Sequence, residues 1–173
     1  VLGGGRLDPV QAVLDVVIHV GRLEDSSYVV RKLGSTPQYL YASREYLRKF
    51  GTPETVAELA GHAVLLTSRS SRGSRWRLQD EEGKWEEVKL EPRLAVADPV
   101  ILYQLTQEGL GVAMLPEFLA ARSKKLERVL PEWRPAAVEF FALYPARRLT
   151  APKLRVFLEE LEKELRFQAG EED

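Results

Sequence analysis

The chain offers few side chains that could catalyse a reaction. Its imidazoles are His19 and His62, and neither stands at a spacing that would bring a second metal ligand or a carboxylate beside it. Cysteine is absent, and the serines are scattered through loops without the Gly-x-Ser-x-Gly turn of an activated nucleophile. We therefore expect no catalytic site, no metal and no cofactor.

Two cationic side chains near the start of the chain are better candidates for a function. His19 alternates with Ile18 and Val20, which is typical of a strand histidine that is hydrogen-bonded at a sheet edge. Alternatively, His19 or Arg22 faces a cleft, where a cation at a strand end would bind a carboxylate. Of the two, Arg22 is the stronger candidate, because its guanidinium can bind a carboxylate with two parallel hydrogen bonds.

A second group of cations follows the middle of the chain. Arg69, Arg72, Arg75 and Arg77 could bind phosphate, but no aromatic residue is interleaved before Trp76, and an acidic tract follows at 80–82. A solvated loop is the favoured interpretation, since runs of charge usually face water.

Glycine-rich segments occur at two places. Gly109-Leu110-Gly111 follows a predicted helix and precedes a predicted strand, the reverse of the order in a Rossmann phosphate loop, so it does not indicate nucleotide binding. The segment Gly3-Gly4-Gly5 is open to two interpretations. It is either a flexible leader or a place where backbone N–H groups approach a ligand closely.

Composition sets wider limits. The 173 residues, 45% of them hydrophobic, can bury the core of one compact domain or of two small lobes that share a cleft. The formal charge of −1 provides no overall attraction to nucleic acid or anionic lipid. There is no long apolar run, signal-peptide pattern or cysteine, so we expect a cytoplasmic protein outside the membrane. The lack of asparagine and the single methionine point to a heat-adapted source.

Extended and helical segments alternate, which predicts an α/β fold. In the first half, the expected strands are 16–20, 28–33, 38–42 and 63–67, and the expected helices run from a Ser43 cap to 50 and from Thr52-Pro53 to about 59. The β-branched run at 16–20 is typical of a strand that is covered on both faces.

In the second half, residues 76–78 and 85–90 predict a surface hairpin. Strands are also expected at 94–97, 112–115, 127–130 and 138–144, and helices from Asp98-Pro99 to Gly109, at 116–122 and at 150–166. Val100, Ile101, Leu102 and Leu105 would supply the apolar face of the helix that starts at Asp98. We expect mostly parallel pairing, with the hairpin as the antiparallel exception.

The order of short motifs along the chain resembles a known family. The motifs are DVVIHVGRLEDSS at 15–27, RKLGSTP at 31–37, GTP at 51–53 with LAGH at 59–62, VAD at 96–98, EGLGVAMLP at 108–116, VLPEW at 129–133 and LYP at 143–145. In this order they resemble the effector-binding domain of LysR-type bacterial transcriptional regulators.

This resemblance implies a type-2 periplasmic-binding-protein-like fold in which two α/β lobes hold a small-molecule effector in a cleft. Lobe I would comprise 1–36 plus 139–173 and be incomplete at its N-terminal side, and lobe II would comprise 37–138. The strands that cross between the lobes would be 33–42 and 138–144. Carried over by position, the effector contacts would be Gly3, Gly4, His19, Arg22, Thr67, Ser68, Asp98, Pro99 and Phe141.

The resemblance also implies partners. The protein would be a homodimer or homotetramer that binds DNA through a separate N-terminal winged helix-turn-helix absent from this sequence. Arg22 and the helix start at Asp98 make a small anion, such as an organic carboxylate, the expected effector. Two alternatives stay open: a solute-binding protein that delivers a small molecule to a transporter, and an α/β enzyme.

Overall fold

A computed structural model of the chain describes residues 15–21, 28–67, 75–145 and 152–168. The chain divides into two compact units, Val1–Thr36 with Ala137–Asp173 as unit 1 and Pro37–Ala136 as unit 2. The strands and helices in chain order are β1 Val17–Val20, β2 Val29–Thr36, β3 Gln38–Ser43, α1 Arg44–Phe50, a 3-10 helix Ala57–Gly61, β4 Val64–Thr67, β5 Arg75–Gln79, β6 Trp85–Lys89, β7 Pro92–Val96, α2 Pro99–Gln107, β8 Val112–Pro116, α3 Glu117–Ala120, β9 Leu126–Val129, β10 Val138–Tyr144 and α4 Pro152–Gln168.

Unit 1 is an antiparallel sheet with helix α4 against one face. The strand order is β1-β10-β2, and Leu33, Ala142 and Leu158 are buried between the sheet and α4. The Nε and Nη2 atoms of Arg31 on β2 each donate to a carboxylate oxygen of Glu162 on α4 at 2.9 Å. Hydrogen bonding to Glu162 raises the pKa of Arg31. The two parallel hydrogen bonds between opposite charges fix the helix on the sheet.

Unit 2 is a five-stranded sheet in the order β7-β4-β8-β3-β9, with the β5–β6 hairpin beside it. Alternate residues of the central strands enter two different cores, as the period of a strand requires. One core contains Leu40, Val64, Leu66, Val112 and the hairpin residues Trp76 and Leu78. The other contains Tyr41, Leu65, Ala113, Leu115 and Leu102 of α2.

The predicted helix caps are confirmed. The Ser43 hydroxyl accepts the Tyr46 N–H at the start of α1, and the Asp98 carboxylate accepts the Val100 and Ile101 N–H groups at the start of α2. At its C-terminal end α2 is followed by Gly109 in the left-handed region, with φ 77°.

The prediction of mostly parallel pairing is wrong. In the described part of the chain, only β7 and β8 pair parallel with β4, and the other strand pairs are antiparallel. The reason lies in the connections, because parallel neighbours need a crossover of a dozen or more residues. Strands β2 and β3 follow one another with only Pro37 between them, which leaves no room for a crossover helix.

Other local expectations are corrected. Residues 52–59 form no α-helix, and the segment contains only the start of the 3-10 helix Ala57–Gly61, where the Glu58 carboxylate accepts the Glu54 N–H and the Thr55 hydroxyl. The expected apolar face of α2 is split, since Leu102 is buried while Val100 and Ile101 are 48% and 46% exposed.

Two expectations about burial also fail. The hairpin is not simply on the surface, since Trp76, Leu78 and Val88 on one of its faces are buried in the unit 2 core. Among the described strands, β1 lies at the edge of its sheet, and Ile18 on it is 36% exposed, so this part of the structure does not cover β1 on both faces.

The glycine segment at 109–111 serves packing. A Cβ built on Gly111 would lie 2.2 Å from the carbonyl oxygen of Ala63, because the chain passes close enough for Val112 N–H to donate to that oxygen at 2.8 Å. Backbone cannot retreat from such a contact without breaking the β4–β8 pairing.

We expect Gly111→Ala to lower the free energy of unfolding by roughly 2–3 kcal/mol, the cost of overpacking a rigid site. Gly61→Ala is the matched control, because nothing lies within 4 Å of a Cβ at that position. Urea unfolding followed by circular dichroism measures both. Equal stability of the two variants would contradict this account of Gly111.

His62 is partly buried beside the Tyr46 ring. Its Nδ1 lies 3.2 Å from the Tyr46 hydroxyl, which also accepts the Ala63 N–H at 2.9 Å. Partial burial lowers the pKa of His62, and the nearby Glu58 carboxylate offsets this only in part. The unfolded chain therefore binds a proton at higher pH than the folded chain does.

Stability should consequently fall as the pH drops below the ordinary histidine pKa of about 6.5 toward the lower folded value. Replacing His62 by Gln removes this contribution, so the loss of unfolding free energy between pH 7 and pH 5 should be smaller in His62→Gln. Urea titrations of both proteins at the two pH values test this. An unchanged pH dependence in the variant would show that His62 does not contribute.

Candidate ligand-binding surfaces

The structure describes only some of the predicted effector contacts. Gly3, Gly4, Arg22 and Ser68 lie outside the described residues, as do Arg69 and Arg72 of the cationic loop. His19 and Phe141 fall in unit 1, whereas Thr67, Asp98 and Pro99 fall in unit 2. Each set forms a local surface of its own unit.

In unit 1 the structure brings His19 and Phe141 together. They are direct partners across the antiparallel β1–β10 pair, so their side chains project from the same face of the sheet. Phe140 and Ala142 pack toward α4, so Phe141 and His19 are on the face away from that helix. Both are partly buried, which places an imidazole beside an aromatic ring.

Two residues that the sequence did not indicate extend this row. Lys32 on β2 is the partner of Phe141 on its other side, and Lys32 Nζ donates to Glu139 Oε1 at 2.6 Å. A register shift between Phe140 and Phe141 aligns Lys32 with the ring. Strand alternation from Phe141 to Glu139 was a usable signal, but the bulge that aligns Lys32 is visible only in the structure.

In unit 2 the predicted contacts meet at the carboxyl edge of parallel strands. Thr67 at the end of β4 is the partner of Val96 at the end of β7, and Asp98 follows at the start of α2. This edge is where ligands bind in open α/β sheets. Thr67 is partly buried, and Asp98 and Pro99 are exposed.

Asp98 already has a structural role at this edge. Its Oδ1 accepts the Val100 N–H at 2.7 Å and the Ile101 N–H at 3.4 Å, and Pro99 has no N–H to offer. The carboxylate thus occupies the donors that would otherwise attract an anion to the α2 terminus. An anionic ligand near α2 would need a cation from elsewhere to offset Asp98.

Metal-ligand groups and membrane-spanning helices are two further features to compare with the described residues. Among them, no group of three His, Asp or Glu side chains converges as metal ligands would. No helix in the described part of the chain is long and apolar enough to span a bilayer.

The family is decided by a comparison with known sequence families. The model of the LysR substrate binding domain matches residues 4–166. The chain belongs to the LysR substrate-binding domain family. This confirms the resemblance seen in the order of motifs, and with it the α/β fold of type-2 periplasmic-binding-protein-like topology.

Curated relatives of this LysR-family chain are named as regulators. An HTH-type transcriptional regulator of Xanthomonas campestris pv. campestris is 32% identical over 175 residues, covering 97% of the chain and 51% of the relative. The HTH-type transcriptional regulator CrgA of Neisseria meningitidis serogroup C is 30% identical, covering 93% of the chain and 54% of the relative. The chain thus spans about half the length of the curated relatives it matches.

Solved structures agree. The regulatory domain of CrgA, a LysR-type transcriptional regulator from Neisseria meningitidis, has a TM-score of 0.78 at 31% identity, over 93% of this chain and 80% of that one. Full-length AphB, a virulence activator of Vibrio cholerae, has a TM-score of 0.72 at 26% identity, over 92% of this chain and 54% of that one. The relatives are transcriptional regulators, which favours regulation over delivery of a solute to a transporter.

Two ion pairs that link different elements of unit 1, Arg31 with Glu162 and Lys32 with Glu139, should differ in their contribution to stability. Glu162→Gln breaks the two-pronged, partly buried contact with Arg31 and should lower the free energy of unfolding by roughly 1–2 kcal/mol. Glu139→Gln breaks only the exposed pair with Lys32 and should change it by less than about 0.5 kcal/mol. Chemical denaturation compares them, and a larger loss for Glu139→Gln would show that the Lys32 row is structural.

Proposed function

We propose that this chain is the effector-sensing domain of a LysR-type transcriptional regulator. The observation that carries the proposal is the family match over residues 4–166, nearly the whole chain. The structural similarity to the regulatory domain of CrgA supports it. In this proposal, a bound small molecule changes how strongly a separate winged helix-turn-helix segment holds DNA.

The proposed units of sensing are the two compact units. Unit 1 corresponds to lobe I and unit 2 to lobe II, and the effector contacts are those predicted from the resemblance. Two local arrangements support this choice: the ring of Phe141 beside His19, and Thr67 beside the start of α2. Each combines polar hydrogen-bonding groups with partly covered apolar surface, as small-molecule sites do.

The proposed effector is a small organic carboxylate. Lys32 supports this because its ammonium is exposed and lies in the same cross-strand row as Phe141 and His19. The exposed bond from Lys32 to Glu139 stabilises little, so a ligand carboxylate can replace it at low cost. The Phe141 ring adds an apolar surface, which favours acids that also carry a hydrocarbon or aromatic part.

The wider proposal follows the regulators that the chain resembles. The protein is cytoplasmic, acts as a homodimer or homotetramer, and has no enzymatic activity. DNA binding belongs to a segment outside this chain, as the helix-turn-helix in the relatives' names suggests.

A thermal-shift screen with organic acids tests the effector. An acid present at 100 times its dissociation constant should stabilise the chain by about 2.7 kcal/mol, seen as a rise in melting temperature. Arg22→Ala or Lys32→Ala should reduce that rise, because each removes a positive charge from the proposed site. Arg155→Ala is the matched control, since Arg155 pairs with Glu159 along α4.

The failures of this experiment are informative. If no acid raises the melting temperature while uncharged metabolites do, the proposal of a carboxylate effector is wrong, but the proposed sensing function stands. If Arg155→Ala weakens the response as much as Lys32→Ala, the effect is general electrostatics rather than a site. If operator binding by the full-length regulator is unaffected by every stabilising ligand, the sensing proposal itself fails.

A further inference from the structure

Unit 2 contains a cleft that shares no residue with the predicted effector contacts. It is an open cleft of about 360 Å³, lined by Tyr39, Glu81, Arg128, Pro131, Glu132 and Arg134. Tyr39 lies on β3 and Arg128 on the edge strand β9, while Glu81 belongs to the turn of the β5–β6 hairpin. Three different parts of unit 2 therefore build this cleft.

The walls of the cleft are fixed by backbone contacts. Arg134 and Gln79 exchange two backbone hydrogen bonds, at 2.8 and 2.9 Å, which tie the segment after β9 to the hairpin. The Trp133 N–H donates to the Leu130 carbonyl at 2.9 Å, and the Trp133 ring packs against the buried core. The cleft is thus a formed part of the fold.

Arg128 is oriented for binding. Its guanidinium carbon lies 3.6 Å from the centre of the Tyr39 ring, so the guanidinium sits on the ring face. One amino group, Nη2, donates to the Pro131 carbonyl. These two contacts hold the group in place and leave its other N–H donors without a partner in the described residues.

The cleft carries charged groups of both signs that are available for binding. Among the described residues, no ion pair is formed by Arg128, Arg134, Glu81 or Glu132, although the cleft carries equal numbers of both signs. Opposite charges on the neighbouring hairpin do pair, for example Lys84 with Glu86 at 2.8 Å. Each of the four groups therefore retains its capacity for charge-assisted hydrogen bonds.

We propose that this cleft binds a small zwitterion, with its carboxylate on Arg128 and Arg134 and its ammonium on Glu81 and Glu132. A single anion or a single cation would satisfy only half of these groups and would meet like charge from the rest. The volume suits a ligand at the small end of the usual range, the size of an amino acid.

Isothermal titration calorimetry at low ionic strength tests the charge pattern. The probes are 6-aminohexanoate, which carries both charges, hexanoate, which carries the negative charge alone, and hexylammonium, which carries the positive charge alone. The zwitterion should bind at least about tenfold more tightly than either of the others, and 0.5 M salt should weaken its binding. Equal affinity for all three, or no binding of 6-aminohexanoate at millimolar concentration, would overturn the proposal.

Variants locate the binding. Arg134→Gln and Glu132→Gln should each weaken 6-aminohexanoate by about tenfold, the effect of losing one charge-assisted contact. The control Arg75→Gln changes an exposed hairpin cation that pairs with Glu87 at 3.0 Å outside the cleft, and it should leave the affinity unchanged. All three positions are exposed, and melting temperatures confirm folding.

A final variant separates this site from the proposed effector site. Arg22→Ala should leave the affinity for 6-aminohexanoate unchanged. If Arg22→Ala abolishes binding while Arg134→Gln does not, the zwitterion occupies the effector site, and the cleft at Arg134 is not a binding site. That outcome overturns this inference and leaves the proposed function intact.

Discussion

The structure depends on one stretch of extended backbone that supplies consecutive strands to two different sheets. β2 pairs with β10 as far as Thr36, and β3 begins to pair with β8 at Gln38. Pro37 between them has no N–H and cannot donate to either ladder. Its carbonyl instead accepts the Glu117 N–H at 3.0 Å. Each unit therefore has its own half of this segment in its sheet, and the chain returns from unit 2 to unit 1 between Ala136 and Ala137.

This connection also determines where the candidate ligand-binding side chains lie. A strand that follows another without a helix must enter its sheet antiparallel to it or start a new sheet, so parallel pairing is confined to β7, β4 and β8. Helix α2 provides the crossover from β7 to β8. The carboxyl edge of this short parallel part carries Thr67 and Asp98, while unit 1, whose described strands are all antiparallel, presents its polar row on a sheet face through His19 and Phe141.

In the described part of the chain, some arginine and carboxylate groups form ion pairs that stabilise the fold, and others stay unpaired on the surface. In unit 1, Arg31 and Glu162 are paired at 2.9 Å and hold α4 to the sheet, so their charges stabilise the fold. In unit 2, Arg128 is held on the face of the Tyr39 ring and lines a cleft with Glu132 and Arg134, and among the described residues these three charges form no ion pair. Charges that a fold positions without pairing keep their binding capacity, which distinguishes a recognition surface from a structural one.

Sequence alone determined the positions of most elements, because these follow from local periodicity. It determined both helix caps, because Ser43 and Asp98 are side-chain acceptors at the right positions. It also indicated the family, through the order of short motifs. It did not determine strand direction, which depends on connections across the whole chain. Nor could it show that a bulge aligns Lys32 with Phe141, or that Tyr39 and Arg134 share a cleft. Those juxtapositions join residues far apart in the sequence, so only tertiary packing decided them.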